Sequence, residues 1–150
     1  MMIKFRFALF FFFVAFSLKA LAESHKMFPG DLAVDINNPQ VVQAGDQIFS
    51  EKCSACHGGQ GVGTGRAPCV TCGKFMFRGN TNNEIFETIY SGTPRTGSRG
   101  GKMGAFNTIL SEEEIKSVVA YLRATEQERI RQGEIPDPYA ADQDVMVFPD

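Results

Sequence analysis

All four cysteines of the chain stand in one stretch of twenty residues, CSACHGGQGVGTGRAPCVTC, at positions 53–72. They form two Cys-x-x-Cys pairs, the first followed by His57 and the second by Gly73. The residues between the pairs are rich in glycine and short of large apolar side chains, so this stretch cannot build a core of its own. It has to wrap around something, and sulfur chemistry decides what. Three readings are open: a covalently attached haem, a four-thiolate metal site, and a pair of redox-active dithiols.

The N-terminus bears on the choice, because it sets the compartment. Lys4 and Arg6 are followed by an apolar run at residues 7–18, and Ala20-Leu21-Ala22 gives a small-x-small cleavage pattern. Residues 1–22 are therefore expected to be a secretory signal. The apolar run is shorter than the roughly 20 residues of a spanning helix, so no membrane span is expected after cleavage. Cleavage would remove three of the 15 basic side chains and none of the 17 acidic ones, leaving a net charge of −5. An acidic chain is a poor match for nucleic acid. An exported chain enters an oxidising compartment, here the periplasm, where a disulfide persists.

Three helices frame the cysteine stretch. In NNPQVVQAGDQIFSEK, Asn38 is a good N-cap, Pro39 suits the first helical position, and Val41, Ala44, Ile48 and Phe49 share a face. In TNNEIFETIYSG, Thr81 and Glu84 form a capping box, Ile85, Phe86 and Ile89 line a face, and Gly92 is the stop. In SEEEIKSVVAYLRATEQ, Ser111 and Glu114 form a second capping box ahead of Ile115, Val118, Val119 and Leu122. No alternating pattern long enough for a sheet is present. The expected organisation is a signal at 1–22, an N-terminal extension at 23–38, a helical domain at 39–125, and an acidic, proline-containing tail at 126–150 that is poorly ordered or lies along the surface.

Cys-x-x-Cys-His is the attachment sequence for haem c. Cys53 and Cys56, one helical turn apart, can add to the two vinyl groups on one edge of a porphyrin, and His57 then lies under the iron. A sixth ligand is usually Met or a second His. Met103, between Gly101 and Gly104 in a loop without an evident packing role, is the candidate. Met76 sits in the apolar run FMF close in sequence to His57, which suits core filler, and His25 lies near the new N-terminus. A Cys₄ zinc site built from Cys53, Cys56, Cys69 and Cys72 has a plausible spacing, but it leaves His57 and Met103 without a purpose. A thiol–disulfide enzyme is expected to carry its dithiol at a helix N-terminus after a strand, and no strand precedes either pair. Because Gly73 cannot ligate iron, Cys69 and Cys72 are expected as a disulfide closing a small ring. Its role is structural stiffening or, as the sharper alternative, redox activity.

With Cys53-Ser54-Ala55-Cys56-His57, a loop Met103 and helices in this order, residues 40–125 resemble the class I cytochromes c. The resemblance implies an all-α domain wrapped around one covalent haem c, working as an electron-transfer protein and not as an enzyme. It implies that Gly45 and Phe49 on the first helix cross the last helix at Tyr121 and Leu122. It also implies that the carbonyl of Pro68 accepts the Nδ1–H of His57. Gly104 departs from the family, which more often has proline after the ligand methionine. A narrower likeness, in CGKFMFRGNTNNEIFETIYSGT, KMGAF and the second Cys-x-x-Cys, is to the four-cysteine cytochromes of methanol metabolism. These accept electrons from pyrroloquinoline-quinone (PQQ) methanol dehydrogenases, notably the lanthanide-dependent kind.

The resemblance thus implies a periplasmic carrier that receives one electron from such a dehydrogenase and passes it to a further cytochrome or a terminal oxidase. A general electron donor to an oxidase is the alternative. Arg95, Arg99 and Lys102 cluster near Met103 in an otherwise acidic chain, as a docking patch would; the same charges would also serve a solvated loop.

Overall fold

The structure is a computed structural model that describes residues 30–73, 81–94 and 101–138. The expected signal segment, His25, Met76, Arg95, Arg99 and the tail beyond residue 138 lie outside the described residues. Among the described residues there are four α-helices: α1 Pro39–Lys52, α2 Ser54–His57, α3 Asn82–Ser91 and α4 Glu112–Arg131. A short 3-10 turn, Gly59–Gly61, follows α2. The described residues contain no strand, although an isolated antiparallel bridge joins Thr93 to Met103.

Each long helix starts where local chemistry places it. The Asn38 side chain accepts the Gln40 N–H ahead of Pro39. Thr81 with Glu84, and Ser111 with Glu114, make reciprocal capping boxes that satisfy helix N–H groups left without intrahelical partners. The Ser111 backbone and hydroxyl hold the Glu114 carboxyl below its ordinary range.

The core lies where α1 and α3 meet α4, with Phe49, Ile85, Ile89, Ile115, Val118, Val119, Tyr121 and Leu122 all buried. The α1–α4 crossing is close. A Cβ built on Gly45 would sit 2.0 Å from the Ser117 carbonyl oxygen and 2.8 Å from Tyr121 Cβ. One turn later the rings of Phe49 and Tyr121 pack with centroids 5.3 Å apart. Gly45 and Phe49 therefore meet Tyr121 as the resemblance implied, and Leu122 is buried in the same core.

Two segments differ from expectation. The helix expected to give way to a tail after residue 125 runs on to Arg131, and Glu126 is buried within it. The reason is a polar network that includes a buried ion pair. Arg123 Nη1 lies 2.7 Å from Glu126 Oε2, and Arg123 Nε donates to Asn82 Oδ1 at 2.9 Å. The second is the N-terminal extension. Its residues 30–38 belong to the packed body: Val34 is in the core, and the Asp31 carboxylate accepts the N–H groups of Asn82 and Asn83 at the start of α3, each at 2.9 Å. A carboxylate at that position offsets the positive end of the helix dipole.

Candidate functional site

α1 ends where the site begins. Cys53 is its C-cap, donating to the Phe49 carbonyl, and the chain immediately makes one further turn, α2. The N–H groups of Cys56 and His57 both return to the Cys53 carbonyl, at 3.1 and 2.9 Å. This turn places Cys53 and Cys56 three residues apart on one helical face. Both are free thiols, Cys53 half-buried against the core and Cys56 exposed. Burial, with the Cys56 sulfur adding to it, pushes the Cys53 thiol up to about 11, so it is protonated at neutral pH before any attachment.

After His57 the loop doubles back. The Gly63 N–H donates to the His57 carbonyl at 2.7 Å, and the Thr64 hydroxyl donates to the Cys56 carbonyl. The returning limb of this loop brings the Pro68 carbonyl to 2.9 Å from His57 Nδ1. A carbonyl can only accept, so His57 donates from Nδ1, and in the neutral ring Nε2 is then the nitrogen without a proton. That is the tautomer a metal-binding imidazole needs, with its basicity raised by the bond.

Met103 is held beside the end of α3. Its carbonyl accepts the Thr93 N–H at 3.0 Å, and the following residues are held on α3 by Phe106 N–H to Ile89 and Asn107 N–H to Tyr90. Gly92 makes this approach possible. It has a φ of 71°, and a Cβ there would lie 2.5 Å from the Met103 carbonyl. Gly101, two residues before Met103, comes up against the Arg66 carbonyl in the loop behind His57. Met103 was expected to lack a packing role. It is instead half-buried against the core, and its backbone bridge to Thr93 supplies some of the rigidity that a proline at position 104 would have given.

Cys69 and Cys72 are placed as a disulfide, with Cα atoms 5.7 Å apart. Arg129, beyond the expected end of α4, lies against this ring and donates to Thr71. Sequence reasoning missed that contact. The signal available for it was the helical continuation through TEQERIR, which its charge and the prolines beyond it had assigned to a tail. Lys102 is exposed, as a docking residue would be. Among the described residues no group of three or more His, Cys, Asp or Glu side chains could hold a metal ion. Cys69 and Cys72 pair with each other in this structure instead of joining Cys53 and Cys56.

Residues 40–122 match the family described as "Cytochrome C oxidase, cbb3-type, subunit III". The chain belongs to that family. It is a c-type cytochrome, an electron-transfer protein and not an enzyme, with the all-α class I cytochrome c fold. Its one Cys-x-x-Cys-His sequence gives it one covalent haem c. The cytochrome is 28% identical over 122 residues to the FixP subunit of the cbb3-type cytochrome c oxidase of Sinorhizobium medicae (strain WSM419), a match that takes in 77% of this chain and 40% of FixP. Two solved structures are similar to part of it. Cytochrome cL from the methylotroph Methylophaga aminisulfidivorans MPT is 24% identical, with 59% of this chain and 55% of that one covered and a TM-score of 0.47. The c-type cytochrome XoxG from Methylobacterium extorquens AM1 is 22% identical, with 57% and 50% covered and a TM-score of 0.48. The cytochrome thus spans less than half of this curated relative and about half of each structure.

The residues in place fit a haem c. Two free thiols lie one helical turn apart beside an imidazole whose Nδ1 is already engaged, and a thioether sulfur lies at the edge of the same core. Cys53 and Cys56 would hold the porphyrin edge, with His57 and Met103 as the iron's ligands. The bound group supplies reversible one-electron chemistry. The chain contributes ligand orientation and the apolar packing behind it.

Proposed function

We propose that this cytochrome is a periplasmic one-electron carrier that accepts electrons from a PQQ-dependent methanol dehydrogenase and delivers them to a further cytochrome or terminal oxidase. The observation that carries the reading is the 2.9 Å approach of His57 Nδ1 to the Pro68 carbonyl, directly beside the Cys53 and Cys56 thiols. With His57 and Met103 both ligating the iron, no coordination position would be left for oxygen or substrate, which would suit electron transfer and not bond-making. Export rests on the signal pattern at residues 1–22, and with it the periplasmic setting. Among the described residues no helix is long and apolar enough to cross a membrane.

The donor assignment rests on the sequence CGKFMFRGNTNNEIFETIYSGT and the second cysteine pair. A second reading, donation to a cbb3-type oxidase with no dedicated dehydrogenase, is favoured by the family match itself. Stopped-flow mixing of the ferric protein with a PQQ methanol dehydrogenase and methanol separates the two. Rapid reduction that slows with added salt, and slows further when Arg95 and Arg99 are neutralised at low salt, supports the dehydrogenase reading and the docking patch. No reduction by the dehydrogenase, combined with fast oxidation of the ferrous protein by a cbb3-type oxidase, would replace it with the second reading.

The Cys69–Cys72 disulfide is assigned a structural role in stiffening the turn behind His57. The double replacement Cys69→Ser, Cys72→Ser is expected to keep its haem, with an intact mass still carrying the adduct and a ferric spectrum close to the parent's. Loss of the adduct would give the pair a part in haem attachment instead.

A further inference from the structure

α4 continues past the family match, which ends at residue 122, and its last turn carries Arg129. This guanidinium is directed at the turn that follows Pro68. Arg129 Nη1 donates to the Thr71 carbonyl and to Thr71 Oγ1, each at 3.0 Å, and lies 3.4 Å from Cys72 Sγ and 3.8 Å from Cys69 Sγ. Glu134 orients it, accepting from Arg129 Nε at 2.9 Å. Thr71 is fully buried, and its hydroxyl donates in turn to the Gln60 carbonyl at 2.8 Å. Arginine N–H, threonine hydroxyl and glutamine carbonyl thus form a directional chain in which each bond polarises the next. The chain ends three residues after His57.

The segment between these anchors is short and closely held. The Val70 N–H donates to the Gly61 carbonyl at 2.7 Å, and a Cβ on Gly63 would lie 2.6 Å from the Cys69 nitrogen. The Pro68–Cys69 peptide, whose carbonyl accepts from His57, therefore has Gly63 behind it and a turn fixed by Thr71 just after it. A shift of Thr71 has little slack to be absorbed before it reaches that carbonyl.

We propose that Arg129 is a positioning residue for the haem ligand: through Thr71 it fixes the turn that presents the Pro68 carbonyl to His57, and so helps set the reduction potential. The inference rests on His57 being an axial ligand, as proposed above. A firmly held carbonyl makes the imidazole more basic and favours the ferric iron. Loosening that bond should shift the potential upward. Simple loss of the Arg129 charge has the opposite sign, because removing a nearby positive charge favours the ferric site.

The opposite signs make the test decisive. Arg129→Lys keeps the charge but loses the planar fork, and Thr71→Val keeps the shape but loses the hydroxyl. In the haem-loaded protein both are expected to raise the midpoint potential and to speed hydrogen exchange at the His57 ring Nδ1–H, read by nuclear magnetic resonance. Thr71→Ser, which keeps the hydroxyl, is expected to return both readouts to the parent values. Parent-like exchange and potential in Arg129→Lys and Thr71→Val would overturn the proposal. So would a downward shift confined to Arg129→Gln, which would reduce Arg129 to a charge effect, or a Thr71→Ser protein that departs from the parent as far as Thr71→Val does, which would show that the hydroxyl does not carry the effect. The ligand assignment is checked separately on the parent. His57 ring signals without paramagnetic shifts in the ferric protein would sink that assignment before any variant is made.

Discussion

Gly45→Ala is expected to open the α1–α4 crossing and to destabilise the haem-loaded protein by about 3 kcal/mol or more, at or beyond the upper end of ordinary overpacking. The new methyl would sit 2.0 Å from the Ser117 carbonyl oxygen and 2.6 Å from its carbon. Both are backbone atoms of a buried helix, so no side chain can swing aside to make room. The helices must separate, and the Phe49–Tyr121 packing one turn along separates with them. Against a total stability of about 5–15 kcal/mol, that is a large share. The expected reading is a fall in thermal midpoint of roughly 10 °C or more for a domain of this size. Gly65→Ala is the control, since a Cβ there meets nothing within 4 Å. A Gly45→Ala protein that melts within a few degrees of the parent would show that the crossing is looser than the structure has it.

Because this crossing depends on α1 and α4 lying at a fixed angle and register, it was legible only through family likeness. The helix starts were legible from the residues themselves. Asn38, Thr81 with Glu84, and Ser111 with Glu114 cap groups within three residues of themselves, so the information is local. The end of α4 was not local. Glu126 and Arg129 look like members of a solvated acidic tail, and their charge argued against burial. What keeps them in the helix lies far away in sequence: Asn82 holds Arg123, which neutralises Glu126, while Thr71 receives Arg129. Asp31 was illegible for the same reason, since the helix it caps begins 51 residues later. At the site, His57 and Pro68 could be paired in advance because the family motif names both. The half-burial of Met103 could not, because the residues that receive it, Thr93 and the last turn of α3, carry no motif.

Met103 is the sharpest test of the electron-transfer reading, because its replacement should change the iron more than the fold. Its anchoring bond to Thr93 is made by the main chain, so Met103→Ala keeps that bridge and the contacts of Phe106 and Asn107 with α3. What goes is the thioether. A sulfur ligand favours ferrous iron and holds the potential high. Its loss is expected to lower the potential on the order of 0.2 V, a sizeable part of the about 0.8 V that axial ligands span. The long-wavelength iron–sulfur charge-transfer band of the ferric protein should vanish at the same time. A lower potential would also weaken the driving force for accepting an electron from a dehydrogenase, so reduction by the donor should slow even where docking is intact. Met76→Ala is the counter-experiment, because that residue is the other thioether near His57 in sequence. If Met76→Ala removes the band and lowers the potential while Met103→Ala leaves both in place, the sixth ligand is Met76. The loop carrying Met103 would then be only the packed segment that closes the core beside α3.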